Sequence, residues 1–367
     1  MLLRLAGQGM RRGSHACLRL AFLGSLCAAP LPALGVPIYG DDDRKDLYEV
    51  ADDKGLVRLA RSTVALFKAE KVKLEKESAK LETEILGKTI NLAATERFHD
   101  QKQGAFCSGA LVGPDLVLTA GHCVLTEGDC QKTRFVFDFS IPEKGHDPAR
   151  VPAKNVYQCG KLLKSTWDIG RLAVRLRIDT PGSYDEAFEP DERRGHQWQG
   201  GKDWALVKLD RPVLDREPLA INKTGKIGKG TRVFVIGHPL GLPTKIAGNG
   251  TVRVSPFEDF FVSDLDIFSG NSGSPVFNAE TKLIEGVMSR AFDDSFAEAG
   301  GQLKHKVLPQ GGGKGVDATR VEILVKDLGS ALTGKKDSSS VFDDQRPEDR
   351  YPRPGERGET PAARERK

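Results

Sequence analysis

The 367-residue chain has no apolar run approaching the ~20 residues that a membrane-spanning helix needs, which excludes a polytopic membrane protein. It has no C-x-x-C pair and its seven histidines are scattered, so the spacing of a structural zinc site is missing. Charge of one sign is scarce too. The formal net charge is +4, but residues 1–35 contain Arg4, Arg11, Arg12 and Arg19 and no acid. Without those four, 51 of the 55 basic groups remain against 51 acidic ones. A nucleic-acid-binding surface needs a basic surplus that this body lacks. What is plentiful is turn-forming residue, 40 Gly and 20 Pro. With 39% apolar residues, that composition points to many short strands and turns around a sizeable core.

The four arginines precede an apolar stretch, Leu20 to Leu34, that ends in Ala33-Leu34-Gly35, a small-x-small cleavage pattern. The stretch is short and broken by Pro30 and Pro32, so residues 1–35 read as a signal peptide rather than a buried helix. Gly24-Ser25-Leu26 lacks the small residue that precedes a lipidated cysteine at Cys27, and Arg11-Arg12 stands without the rest of a twin-arginine pattern. Export implies an oxidising compartment, periplasmic or extracellular. Cys17 and Cys27 leave with the leader. Cys107, Cys123, Cys130 and Cys159 remain, an even set that favours two disulfides and allows three pairings.

Residues 36–60 are polar and acidic and read as an N-terminal arm or pro-segment. Asp41-Asp42-Asp43 reads as solvated charge, because calcium loops alternate their ligands. Ser62 to Phe67 is the first strand. Over 69–88, Lys, Glu and Leu favour a helix by propensity. Val72 and Leu74 alternate, however, as do Ala79, Leu81, Thr83 and Ile85, and the alternation predicts a hairpin. Between 104 and 292 short apolar runs follow one another, at 110–112, 116–119, 134–137, 204–207, 233–236, 274–277 and 283–284, with Gly, Pro and Asp between them. The class is all-β, a sandwich or barrel. Asp317 is expected to cap a C-terminal helix with Val321, Leu324, Val325 and Leu328 on one face, stopped by Gly334. Residues 61–334 thus form the globular domain. Residues 335–367, with nine basic and eight acidic side chains and a single large aliphatic, Val341, read as a disordered tail.

Three segments carry chemistry. Leu118-Thr119-Ala120-Gly121-His122-Cys123 runs a strand into a small-residue turn that presents a histidine. Lys202-Asp203-Trp204-Ala205-Leu206-Val207-Lys208-Leu209 puts an aspartate at the mouth of an apolar strand. Ser269-Gly270-Asn271-Ser272-Gly273-Ser274-Pro275 sets a serine between glycines on a tight loop. A lone histidine or aspartate is usually structural; the glycine-flanked serine is more specific. Gly270 lets its own N–H and that of Ser272 point at one spot, an oxyanion hole, and Gly273 permits close approach behind the nucleophile. In the order His, Asp, Ser, the three supply a base, an orienting carboxylate and a nucleophile.

Thr119-Ala120-Gly121-His122-Cys123 and Gly270-Asn271-Ser272-Gly273-Ser274-Pro275 resemble the signatures of the chymotrypsin/trypsin-like serine peptidases, the second that of the bacterial branch containing the glutamyl endopeptidases. The resemblance covers roughly residues 60 to 330. It implies two six-stranded antiparallel β-barrels with the active site between them, His122 and Asp203 on the first and Ser272 on the second. Asp168 and Asp191 rival Asp203, which is preferred for the apolar strand behind it. The resemblance pairs Cys107 with Cys123, leaving Cys130 with Cys159. A loop of about 15 residues closed by the first bridge is worth roughly 3 kcal/mol in the chain-entropy view.

The residue six before the serine lies at the base of the primary specificity pocket in this family, and here it is Asp266, which would favour Arg or Lys. Ile267 and Met288 stand where the glutamyl branch has a Ser or Thr and a His, against a Glu preference. Ser289 and Arg290 would line the pocket, and Arg290 is placed to pair with Asp266 and neutralise it. Asn271 replaces the aspartate that pairs with a freed N-terminal amine in many members, so that activation switch is expected to be absent. His238, in Gly237-His238-Pro239-Leu240-Gly241, reads as a turn histidine rather than a cleft residue. The expectation is an exported serine endopeptidase acting as a monomer on polypeptides, without cofactor or metal. The alternative is a catalytically silent peptide-binding member of the same fold.

Overall fold

A computed structural model describes residues 37–167, 201–255, 257–291 and 295–328. The expected leader, the charged tail, Gly334, Asp168 and Asp191 lie outside these residues. Six strands close a first barrel: β1 (Thr63–Lys68), β2 (Cys107–Gly113), β3 (Leu116–Thr119), β4 (Thr133–Val136), β5 (Val156–Trp167) and β6 (Asp203–Leu209). They run in the order β5-β6-β3-β2-β1-β4, with β4 paired back onto β5. A second barrel uses β7 (Arg232–Gly237), β8 (Lys245–Val254), β9 (Phe260–Ser263), β10 (Pro275–Asn278), β11 (Ile284–Ala291) and β12 (Val316–Arg320). Its order is β7-β8-β9-β12-β11-β10, closed by β10 on β7. All the barrel pairings are antiparallel, and closure removes the open edges that invite aggregation.

The period-2 alternation of the strands assembles the interface between the barrels. On β6, Val207 and Leu209 enter the first barrel's core. Trp204 and Leu206 face the other way, and with Ala110 and Leu118 they meet Phe234, Ile236, Phe277, Ile284 and Val287 of the second barrel. Burying each such large side chain stabilises by about 1.5–3 kcal/mol, so the two barrels share one core.

The expected hairpin is present in part: Val72–Leu74 pairs with Ser78–Leu81, Val72 opposite Leu81, but Glu84–Ile85 pairs instead with Lys102–Gln103 and Leu86–Thr89 is helical. Alternation prevails over helix propensity because Val72, Ala79 and Leu81 all pack on one side, against Phe67 and Phe139. Two expectations need correction. Asp317 does not cap the C-terminal helix. It lies within β12, which pairs with β9 on one side and β11 on the other and so completes the second barrel; the helix Val321–Leu328 starts only after Arg320. Nor are Asp42 and Asp43 solvated: both are partly buried, Asp42 gripping the fully buried Arg44 through Nε and Nη2 at 2.8 and 2.7 Å.

The N-terminal arm is built into the second barrel's surface. Ile38 and Gly40 donate to the carbonyls of Lys306 and Leu308 at 2.8 Å, and Lys45 bridges to Ile246. Asp46 accepts from Lys245 Nζ at 2.5 Å, an ion pair with both side chains 1% exposed. The chain then turns through Leu47–Val50 into a helix, Lys54–Arg61, whose first turn is capped by Asp53 accepting from Leu56 N–H at 2.9 Å. Leu59 and Ala60 of that helix join the core between the barrels.

Candidate active site

His122 sits in the 3₁₀ turn Gly121–Cys123 that follows β3, and Asp203 opens β6. The register brings them together. Ala205 lies opposite Thr119, so Asp203, two residues earlier on the antiparallel strand, extends past the end of β3 to where the chain presents His122. Asp203 Oδ2 is 2.7 Å from His122 Nδ1, and its Oδ1 accepts the His122 backbone N–H at 3.0 Å. The carboxylate is fully buried while the imidazole is about a quarter exposed. Asp203 thereby places the ring's proton on Nδ1 and leaves Nε2 to accept from the open side. The second barrel supports the aspartate from behind: Thr319 Oγ1 accepts Asp203 N–H at 3.2 Å and is 2.8 Å from Ser289 Oγ.

Ser272 lies on the loop before β10. Its carbonyl accepts from Ser108 N–H at 2.8 Å and sits 3.7 Å from Cys123 Sγ, so the serine's backbone abuts the residue next to His122. Gly270 (φ 95°) and Gly273 (φ 86°) adopt the left-handed conformation that the motif predicted. A Cβ on Gly273 would collide with the Ser108 carbonyl and Thr119 Oγ1, and one on Gly270 with the His238 carbonyl. Among the described residues, the N–H groups of Gly270 and Ser272 have no acceptor, and no hydrogen bond joins Ser272 Oγ to His122. The Ser–His hydrogen bond of a working triad is the one that commonly tightens only when substrate binds.

Ser108 is a residue that the sequence reading missed. It is fully buried at the start of β2; its Oγ donates to the Gly270 carbonyl at 2.7 Å and accepts His238 N–H at 3.0 Å. Its carbonyl accepts from Thr119 Oγ1 at 2.7 Å. Ser108 thus ties the Gly270–Ser272 loop and the His238 turn through its side chain, and the strand leading to His122 through its carbonyl. The only signal was the run Ser108-Gly109-Ala110, small residues where backbones approach closely.

The disulfides are Cys107–Cys123 and Cys130–Cys159, as the resemblance implied. Cys107, Cys123 and His122 lie close together, but the disulfide takes both sulfurs. His238 is buried in a turn, with Nδ1 3.0 Å from the Leu242 carbonyl, and burial pulls it down to about 3, so it is a neutral structural imidazole. Asn271 is buried and its Oδ1 accepts from Ser274 Oγ at 3.2 Å, within its own loop.

The expected pocket residues are not arranged as a charged trap. Asp266 is 3% exposed, with Oδ1 accepting Tyr39 N–H at 2.7 Å and burial pushing the carboxyl up to about 8. Arg290 does not pair with Asp266. Its Nε lies 3.6 Å from Asp317 Oδ2 and its Nη2 donates to the Gly201 carbonyl at 3.0 Å, because β11 sets Arg290 directly opposite Asp317. Ile267 and Met288 pack in the second barrel's core beside Tyr39, Val316 and Ala318.

Residues 107–284 match the family model of the trypsin-like peptidase domain. Over 202 residues the chain is 29% identical to a trypsin-like protease of Streptomyces glaucescens, a match covering 54% of this chain and 59% of that one. Over 104 residues it is 27% identical to a probable periplasmic DegP-like serine endoprotease of Brucella suis, covering 27% of this chain and 20% of that one. The chain thus spans less than two thirds of the length of either relative. A solved structure of a Glu endopeptidase in complex with MPD covers 80% of this chain and 99% of its own, at 14% identity and a TM-score of 0.41, too distant to carry an argument.

Proposed function

We propose that this chain, whose residues 107–284 match the family model of the trypsin-like peptidase domain, is a serine endopeptidase exported to an oxidising compartment. The observation that carries the reading is the buried Asp203 holding His122 by both Nδ1 and backbone N–H, beside a glycine-flanked serine whose N–H and that of Gly270 have no acceptor among the described residues. In the proposed reaction Ser272 Oγ adds to the scissile carbonyl while His122 Nε2 takes its proton. The Gly270 and Ser272 N–H groups receive the oxyanion. His122 then returns the proton to the leaving amine, giving an acyl-enzyme and a free amino end. Water, deprotonated by the same nitrogen, releases the carboxylic acid and restores the serine. Asp203 holds the ring by Nδ1 and stabilises the imidazolium in each half.

Export is supported by the arginine-led apolar leader and by two disulfides, which persist in oxidising surroundings. A preference for Arg or Lys before the scissile bond requires an ionised, accessible Asp266. Its carboxyl is covered, shared with Tyr39 N–H and biased toward the neutral acid, so the proposal does not include that preference.

The test is a fluorophosphonate probe on the full exported chain, read by intact mass with Ser272→Ala as control. One adduct, absent from the variant, is the expected result. A folded wild-type protein that takes no adduct overturns the peptidase reading and leaves the silent peptide-binding member.

A further inference from the structure

The segment from Phe268 to Ser272 presents both candidate oxyanion donors, and its backbone is held by one hydrogen bond within it and three donated to its carbonyls from outside. Asn271 N–H donates to the Phe268 carbonyl at 2.9 Å, Leu240 N–H to that of Ser269 at 2.6 Å, Ser108 Oγ to that of Gly270 and Ser108 N–H to that of Ser272. The side-chain anchor is the ring of Phe268, 2% exposed. Its neighbours are Phe296, the edge-on ring of His305 at 5.1 Å, and the guanidinium of Arg44 at 4.5 Å from the centroid.

Arg44 comes from the N-terminal arm and is fully buried. Its fork is spent on Asp42, whose carboxyl it holds below the usual range against the cost of burial. Nη2 lies 3.5 Å from His305 Nε2. It can donate there only if the ring's proton is on Nδ1, which faces Glu96 Oε2 at 2.7 Å. Nη1 has no hydrogen-bond partner among the described residues. The cation is sandwiched between Phe268 and Phe98, whose centroid is 5.1 Å away. Burying a charge with one donor unmatched is costly. An apolar side chain could fill the same space, so the placement of a planar cation on the ring that begins the loop calls for a role beyond packing.

We propose that Arg44 is a positioning residue for the candidate site: by stacking on Phe268 it clamps the Phe268–Ser272 loop so that the Gly270 and Ser272 N–H groups converge. The clamp comes from the interior of the arm and needs no free N-terminal amine, which fits a loop whose Asn271 carries no charge. This inference rests on the peptidase reading. It assigns to the docked arm the task of completing the oxyanion hole.

The experiment measures the limiting rate and half-saturating concentration for fluorophosphonate labelling of the full chain, Arg44→Ala and Arg44→Lys. Arg44→Ala is expected to lose about tenfold or more in the limiting rate, with half-saturation changed less than about threefold, the pattern of a group that acts in the transition state. Guanidinium chloride at low millimolar concentration should restore part of the rate, and sodium chloride should not. Arg44→Lys should stay slow, since an ammonium offers neither fork nor planar face. Labelling of folded Arg44→Ala at the wild-type rate overturns the proposal. Should Arg44→Ala not fold, Phe268→Leu, which keeps the apolar burial and removes the face, is expected to label slowly, and a wild-type rate there overturns it equally. If the wild-type chain itself takes no probe, the peptidase reading falls separately, and the clamp is read by hydrogen exchange over 268–274. Faster exchange in the variants supports it and unchanged exchange refutes it.

Discussion

Tyr39 N–H donates to Asp266 Oδ1 across 2.7 Å, joining positions 227 residues apart. The arm therefore covers a carboxyl that the family resemblance places at the base of a specificity pocket, and burial favours its neutral form.

That neutrality gives stability a pH slope. The folded-state value of about 8 lies above the ordinary 3.8, so below 3.8 both folded and unfolded chains hold the proton and the fold is unpenalised. Between those limits only the folded state keeps it, and stability falls by roughly 1 kcal/mol per pH unit as pH rises. Asp43, pushed by burial to about 6, adds the same sign over a shorter range, and His238 the opposite sign in acid. Asp266→Asn removes only the first contribution. Urea unfolding at pH 5 and pH 7.5 should show the variant gaining on wild type at the higher pH; parallel behaviour would contradict the burial argument.

Lys245 and Asp46 form a pair almost wholly removed from water. Lys245→Met strands the Asp46 charge and is expected to cost about 3–5 kcal/mol, while Lys245→Met with Asp46→Leu should recover much of it. Denaturant midpoints of the two variants and wild type measure the difference. A single variant as stable as wild type would mean the pair is hydrated.

Ser108→Ala orphans the Gly270 carbonyl and removes the acceptor for His238 N–H. A loss of about 1–3 kcal/mol in stability is expected, together with slower fluorophosphonate labelling, because the oxyanion loop loses an anchor. Stability lost with labelling unchanged would confine Ser108 to a structural role.

The two disulfides should separate by function. Cys107–Cys123 closes a separation of 16 residues and Cys130–Cys159 one of 29, so each is worth roughly 3 kcal/mol by loop entropy. Only the first holds the residue beside His122. Replacing Cys107 and Cys123 by serine should slow labelling; the same change at Cys130 and Cys159 should lower the unfolding midpoint alone. Comparing labelling rates well below both midpoints checks this.

Short-range chemistry was legible in the sequence. Glycines at 270 and 273 announce left-handed backbone, the apolar strand behind Asp203 marks its position, and the alternation over 72–81 prevails against helix propensity, although the chain turns helical at Leu86–Thr89. What was hidden depends on distant chain segments. Asp317 carries a cap signal, but whether β12 continues through it is decided by β9 and β11. The acidic run at 41–43 looks solvated until Arg44 and the barrel surface close over it. The partner of Arg290 follows from strand register, which pairwise charge cannot reveal.

The parallel pairing of Ile38 with Val307 has a bearing on how the protein comes into being. Contacts so remote in the chain form late, since the intervening polypeptide must first find its own order. A chain emerging N-terminus first carries its arm exposed until the last hairpins of the second barrel exist to receive it. Docking of the arm is thus expected among the last steps of assembly, after the hairpins that receive it.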